Sequence, residues 1–267
     1  LTNELKIIAD YTINRHYSEA NASKDTYLTF LELFAKKQAS LIAKWMGVGF
    51  IHGVMNTDNT SISGETIDYG PCAFMDNYDP STVFSSIDRH GRYAFGNQPQ
   101  IAQWNLASLA GCLLPLIDNN EDKAKNSVSK IIEGFSGIVN SDISEVMCSK
   151  IGLNSSNEKS RESLKNLLAL MKSSEADYTL AFRYLGDYLN NENEPSFKEL
   201  FTNKDEIEHW LLDWLELINT EGNSKKSIIE SMQTINPIYI PRNHLVERAI
   251  KAGVNDGDYS VMLNLSL

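Results

Sequence analysis

Apolar residues recur at helical spacing along most of this chain, and the pattern breaks in one place. In TYLTFLELFAKKQASLIAKWM, residues 26–46, Tyr27, Leu31, Phe34, Leu41, Ile42 and Trp45 fall near a 3.6-residue period. This predicts one long amphipathic helix, capped by Ser23 or Asp25 and ended by Gly47 and Gly49. From residue 100 the text turns helical again, beginning with the strongly apolar QIAQWNLASLAGCLLPLI. A charged link, NNEDKAKN, is expected at 119–126, followed by one or two helices over 127–152 and two more over 159–189, broken near Ser173. NNENEP (190–195) reads as a linker. Further helices follow in 196–222 and 226–236, then an extended strip bounded by prolines, then a helix from about His244 to Ala252.

Between these helical halves the periodicity changes. GFIHG, TSIS and ETIDYG are short strand-like pieces, and the alternation around Gly64 in TSISGETID predicts a small hairpin. PCAFMDNYDPSTVFSSIDRHGRYAFGNQPQ follows, rich in turn formers and aromatics. It reads as a long ordered loop, and loops of that length usually carry function. The fold class expected is mainly α, with a few short strands gathered around one polar loop. The organisation expected is a core over 1–118 and a helical continuation over 119–267, packed on the same core.

Composition narrows the function. With 267 residues and 42% hydrophobic positions, the chain can bury a substantial core. A formal net charge of −11 argues against a nucleic-acid surface. The three cysteines, Cys72, Cys112 and Cys148, are widely spaced and form neither a disulfide framework nor a CxxC metal motif. No apolar run approaches the roughly 20 residues that cross a bilayer. The N-terminal text LTNELKIIADYT shows no signal peptide, so a cytoplasmic location and no membrane partner are expected.

The polar loop holds the candidate chemistry. Asn59 offers an amide oxygen and Asp68 a carboxylate, nine positions apart on two limbs of the expected hairpin. Mg²⁺ binds oxygen and needs one or two protein ligands beside phosphates. Asp58 is a second carboxylate, suited to accept a proton from a hydroxyl. Asn, Asp and Gly in this density also serve simply as turn formers, and spacing alone leaves both readings open. The order of residues adds more. A protein-kinase catalytic loop begins His-Arg-Asp, has Asn five residues after that Asp, and is followed by Asp-Phe-Gly. Here His52-Gly53-Val54 stands first, Asn59 lies five after Val54, and Asp68-Tyr69-Gly70 follows. The metal-binding pair is retained and the usual base is replaced by Val54.

GFIHGVMNTDNTSISGETIDYGPCAFMDNYDP, GRYAFGNQP and QWNLASLAGCLLP closely resemble the selenoprotein O (YdiU) family, as do DYTLAFRYL and NPIYIPRNHLVERAI further on. The resemblance covers nearly the whole chain. It implies a pseudokinase fold, here a kinase-like C-lobe with a helical extension, that transfers AMP from ATP to Ser, Thr or Tyr hydroxyls of acceptor proteins. It implies an ATP held with its α-phosphorus toward the acceptor. By position, Asp58 matches the family's base, and Asn59 and Asp68 match its ligands for ATP-bound Mg²⁺ or Mn²⁺. The family also carries an N-terminal lobe whose cations hold the phosphates. The residues before Trp45 read as helical instead, so the chain is expected to be the C-terminal portion and inactive alone. Two rival readings are an ordinary kinase, opposed by Val54, and a non-catalytic scaffold, opposed by the retained trio.

Other residues have plainer expectations. His52 is expected to make structural hydrogen bonds, and Arg92 to pin the long loop or meet a phosphate or an acceptor. Asp76 and Asp79 are expected to cap turns, Trp104 to be core, and Asp177 to pair with Arg183. Trp210, Trp214 and Leu217 form a helical core stripe. His209 and Asp213, four apart, lack a third partner for a metal site.

Overall fold

A computed structural model describes residues 2–70 and 72–265. Most of them are helical. Helix α1 (Thr2–His16) and a 3₁₀ turn (Ser18–Ala22) lead into α2 (Thr26–Val48). Strands β1 (Phe50–Ile51) and β2 (Ala73–Phe74) pair antiparallel, with Phe50 opposite Phe74 and Ile51 opposite Ala73. Helices α3 (Gln98–Ile117), α4 (Glu121–Lys150), α5 (Glu158–Ser173), α6 (Tyr178–Asn190), the single turn α7 (Ser196–Glu199), α8 (Lys204–Thr220) and α9 (Lys225–Ile235) follow. The described chain ends with α10 (Asn243–Lys251), a π turn (Ala252–Asp256) and α11 (Ser260–Leu265).

Local chemistry sets the boundaries. Side chains of Asn120, Asn157, Asp177, Asn203 and Ser224 each accept a hydrogen bond from a backbone N–H in the first turn of α4, α5, α6, α8 and α9. Each satisfies one of the donors a helix start leaves unpaired. Because Asn120 caps at that point, most of the expected link at 119–126 is the first turns of α4, and 127–152 is one helix. Helix α2 ends at Gly49, whose φ of +72° is the left-handed cap conformation. Gly47 does not end it. It lies buried inside α2, where a Cβ would come within 2.6 Å of Val146, so its missing side chain lets α2 and α4 approach.

Two apolar clusters result. One joins α1, α2, α3 and the first half of α4 through Ile13, Phe30, Phe34, Ile42, Leu106 and Phe135. The other joins the end of α4 to α5, α6, α8 and α9 through Met147, Leu167, Phe182, Trp214 and Met232. At about 1.5 Å per residue, the 30-residue α4 runs about 45 Å and passes through both. The Trp210 and Trp214 rings stack at 5.7 Å, with Leu217 half-buried against the same cluster, as the stripe predicted. Trp214 also donates to the Ile151 carbonyl at 2.8 Å, which ties α8 to the end of α4.

Helix α3 with its preceding turn, Phe95–Ile117, is long and apolar enough by composition to cross a bilayer, contrary to expectation. It packs against both α2 and α4, burying Ile101, Leu106, Ala110 and Leu113. Trp104 on this helix is 49% exposed rather than core. Its neighbour Asn105 takes the inward face.

Candidate functional site

The expected hairpin around Gly64 does not form. Gly64 instead makes a turn with φ +77°, held by the Ser61 carbonyl accepting from its N–H at 3.2 Å. The strands lie outside it: β1 and β2 pair at the base and close residues 52–72 into one loop. The Met75 N–H donates to the Gly49 carbonyl at 2.8 Å and extends that closure. Strand segments of two residues cannot hold a loop of this size alone. Side chains from the surrounding helices do the rest.

Tyr17 donates to the Ile62 carbonyl at 2.6 Å, Gln38 to the Ser61 carbonyl at 3.0 Å, and Trp45 to the Thr66 hydroxyl at 2.9 Å. Helix α3 contributes two buried amides. Gln98 donates to the Phe50 carbonyl at 3.0 Å and accepts from the His52 N–H at 3.1 Å, so it serves β1 as a further ladder partner. Asn105 donates to the Met55 carbonyl at 3.1 Å and the Thr60 hydroxyl at 2.7 Å. Tyr93 donates to the Asn56 amide oxygen. Sequence reasoning missed Gln98 and Asn105 as loop holders. The available signal was that Gln98 and Asn105, seven apart, share one helix face with the apolar Ile101 and Ala102.

His52 sits at the centre, 1% exposed and inside the aromatic group of Trp45 and Phe50. Its Nδ1 accepts from the Val54 N–H at 3.4 Å, which leaves Nε2 as the donor to the Ile67 carbonyl at 2.8 Å. The Val54 carbonyl in turn accepts from Asn59 Nδ2 at 3.1 Å. One imidazole therefore links the limb carrying Asn59 to the limb carrying Asp68. The expected structural role of His52 is what the geometry displays.

Asn59 is half-buried, its amide nitrogen is spent on Val54, and its amide oxygen accepts no hydrogen bond among the described residues. Asp68 is exposed and adopts φ +54°, a left-handed backbone that non-glycine residues rarely take. Such strain, at about 1–2 kcal/mol, is kept where surroundings over-determine it and concentrates at functional positions. Asp58 is exposed on the 3₁₀ turn Thr57–Asn59. With three residues per turn, it leaves the backbone in a different direction from Asn59. Among the described residues, neither the Asp58 nor the Asp68 carboxylate takes part in a hydrogen bond or ion pair. Free carboxylate and amide oxygens are the donor set a hard cation such as Mg²⁺ prefers. Burial, with Asp68 nearby, pushes the Cys72 thiol upward, so it is a poor nucleophile.

The next segment is fixed by charge. Arg242, from the Pro-bounded strip, donates to Asp76 and, at 2.6 Å, to Asp177. Asp177 therefore pairs with Arg242, and Arg183 lies 4.0 Å from Asp187 instead. Partners distant in sequence outcompete the pair six residues apart because Asp177 stands at the start of α6, where its other oxygen caps the helix. Asp79 caps a turn at Ser81 as expected, whereas Asp76 is an ion-pair partner. His209 bonds the Asp205 carbonyl, and no group of three or more metal-ligating His, Cys, Asp or Glu side chains occurs among the described residues.

Comparison with known proteins decides the family. The sequence matches, over residues 1–267, the family described as Protein adenylyltransferase SelO. This chain belongs to the SelO family. It is 51% identical over 96% of its length to the Protein nucleotidyltransferase YdiU of Maridesulfovibrio salexigens, and covers 51% of that protein. It is 48% identical over 98% of its length to the YdiU protein of Bacillus mycoides, and 45% identical over 97% to that of Rhizobium johnstonii, covering 52% of each. The chain thus spans about half the length of these SelO-family relatives. The resemblance read from the loop and from the later motifs holds along the whole chain.

Proposed function

We propose that these residues form the kinase-like C-lobe and helical extension of a protein adenylyltransferase. Asp58 is its base, and Asn59 and Asp68 hold Mg²⁺ or Mn²⁺ on ATP. The observation that carries this reading is the pair of unpartnered carboxylates and the anchored Asn59 amide on a loop fastened from several sides, in a chain of the SelO family. A bound divalent ion would neutralise phosphate charge as the transfer proceeds. Asp58 orients a Ser, Thr or Tyr hydroxyl and takes its proton as the hydroxyl oxygen bonds the α-phosphorus. The bond from the α-phosphorus to the oxygen bridging it to the β-phosphate breaks, and pyrophosphate leaves. Val54 carries no proton acceptor, so the base function falls to Asp58. The fastened loop reduces the reorganisation that transfer would otherwise demand.

The cations that hold the phosphates are assigned to the part of the relatives' length beyond these residues. The 267-residue chain is therefore proposed to bind ATP weakly and to transfer nothing alone. The test uses the chain extended to the length of its relatives, with ATP labelled at the α-phosphate in one reaction and at the γ-phosphate in another. Label on protein from the α-position only, lost in Asp58→Ala and Asp68→Ala, is expected. Label from the γ-position would make this an ordinary kinase. Label from neither would favour a scaffold.

A further inference from the structure

A cleft of about 760 Å³ opens beside the loop, lined by Val54 and Asn56 on one wall and by Arg89, His90, Arg92 and Tyr93 on the other. Its volume lies within the range of built ligand sites. Two of its features are unusual in this chain. First, it brings two arginines against one acidic residue, Asp88, in a molecule whose net charge is −11. The Asp88 carboxylate is already engaged, accepting from the backbone N–H groups of Arg92 and Tyr93 at 2.9 and 2.7 Å. Second, neither guanidinium has a carboxylate partner among the described residues. Arg92 lies over the half-exposed Trp104 ring at 5.0 Å and the Tyr93 ring at 5.6 Å, which orients it without neutralising it. Arg89 is exposed.

The position of the cleft narrows its occupant. Asn56 lies two residues before Asp58, so their Cα atoms are within about 7 Å. None of Asp58, Asn59 and Asp68 lines the cleft, but Asn56 on its wall sets it beside the 3₁₀ turn that carries Asp58. We infer that this cleft receives the acceptor protein, and that it selects a segment with an acidic side chain close to the hydroxyl that is modified. Unpaired guanidiniums beside an aromatic wall fit a carboxylate next to a short apolar contact, and Ile87, 76% exposed at the lip, supplies that contact. The inference rests on the adenylyl-transfer reading for the identity of the acceptor, but its binding claim can be tested without transfer.

The test measures fluorescence anisotropy of a labelled random copolymer of Glu and Tyr added to the 267-residue chain, against a copolymer of Lys and Tyr. The acidic polymer is expected to bind and the basic one not to. Arg89→Ala, at an exposed position whose guanidinium has no hydrogen bond among the described residues, is expected to weaken binding about fivefold, and Arg89→Ala with Arg92→Ala more, with release at high salt. Unchanged thermal unfolding of the variants establishes that they fold. Equal binding of both polymers, or no effect of either substitution, overturns the inference. So does an equal loss of Mg²⁺-ATP affinity in the same variants, because the arginines would then serve phosphate. Charge-selective binding in a protein that transfers no α-label keeps this cleft and discards the enzymatic reading. Transfer that ignores Arg89 and Arg92 does the reverse.

Discussion

Lys150, at the last turn of α4, allows the sharpest test of the packing described here. It is 2% exposed, and among the described residues its Nζ has one polar partner, the Asn236 amide oxygen at 2.8 Å, with the Phe182 and Tyr178 rings at 4.4 and 5.7 Å. Burial without a carboxylate pushes its pKa down to about 7. Unfolded, a lysine keeps its ordinary value of about 10.4. Between those values the unfolded chain binds a proton that the folded chain does not, so stability rises with pH through this window. The slope is about 1.4 kcal/mol per pH unit, or about 2 kcal/mol between pH 7.2 and 8.7. Lys150→Met removes the titration and leaves the Asn236 oxygen unpaired, at a pH-independent cost of about 1–3 kcal/mol. The expected result is that wild-type stability relative to Lys150→Met rises by about 2 kcal/mol from pH 7.2 to 8.7. Urea unfolding of both proteins at several pH values measures it, and taking the difference cancels the cysteines, whose raised values act in the opposite direction at higher pH. Parallel pH profiles for the two proteins would refute the argument, since they would mean that Lys150 remains charged in its buried place.

Other outcomes follow from the same contacts. Arg242→Ala should cost about 2–3 kcal/mol, because two carboxylates lose a partly buried partner, and should increase amide exchange in the 236–242 strip. Gly49→Ala combines a left-handed backbone with a Cβ 2.8 Å from the Tyr178 ring, so a loss of at least about 2 kcal/mol is expected in thermal unfolding. Asp58→Asn and Asp68→Asn should leave stability within about 0.5 kcal/mol of wild type, since neither side chain has a partner among the described residues; a large loss would mean that these carboxylates hold the fold. Asn105→Ala should cost about 1–3 kcal/mol and loosen residues 55–60, read by hydrogen exchange.

Much of this protein was legible in its sequence. Helical periodicity marked α2, α3, α5, α6, α8 and α9 because amphipathic order is local, and capping side chains lie within a few residues of what they cap. The polar loop was legible because its Gly, Asn, Ser and Thr interrupt the helical period, and the family was legible because its motifs are long stretches of local sequence. The tertiary structure decided what depends on partners far away in the chain. The β1–β2 pair spans the loop from outside, where local alternation had suggested a hairpin within it. Asp177 chose Arg242 over Arg183, and Trp104 faced outward while Asn105 turned inward to the Met55 carbonyl and the Thr60 hydroxyl. In each case a buried polar group or strand edge had to find a partner, and the nearest partner in space was remote in sequence.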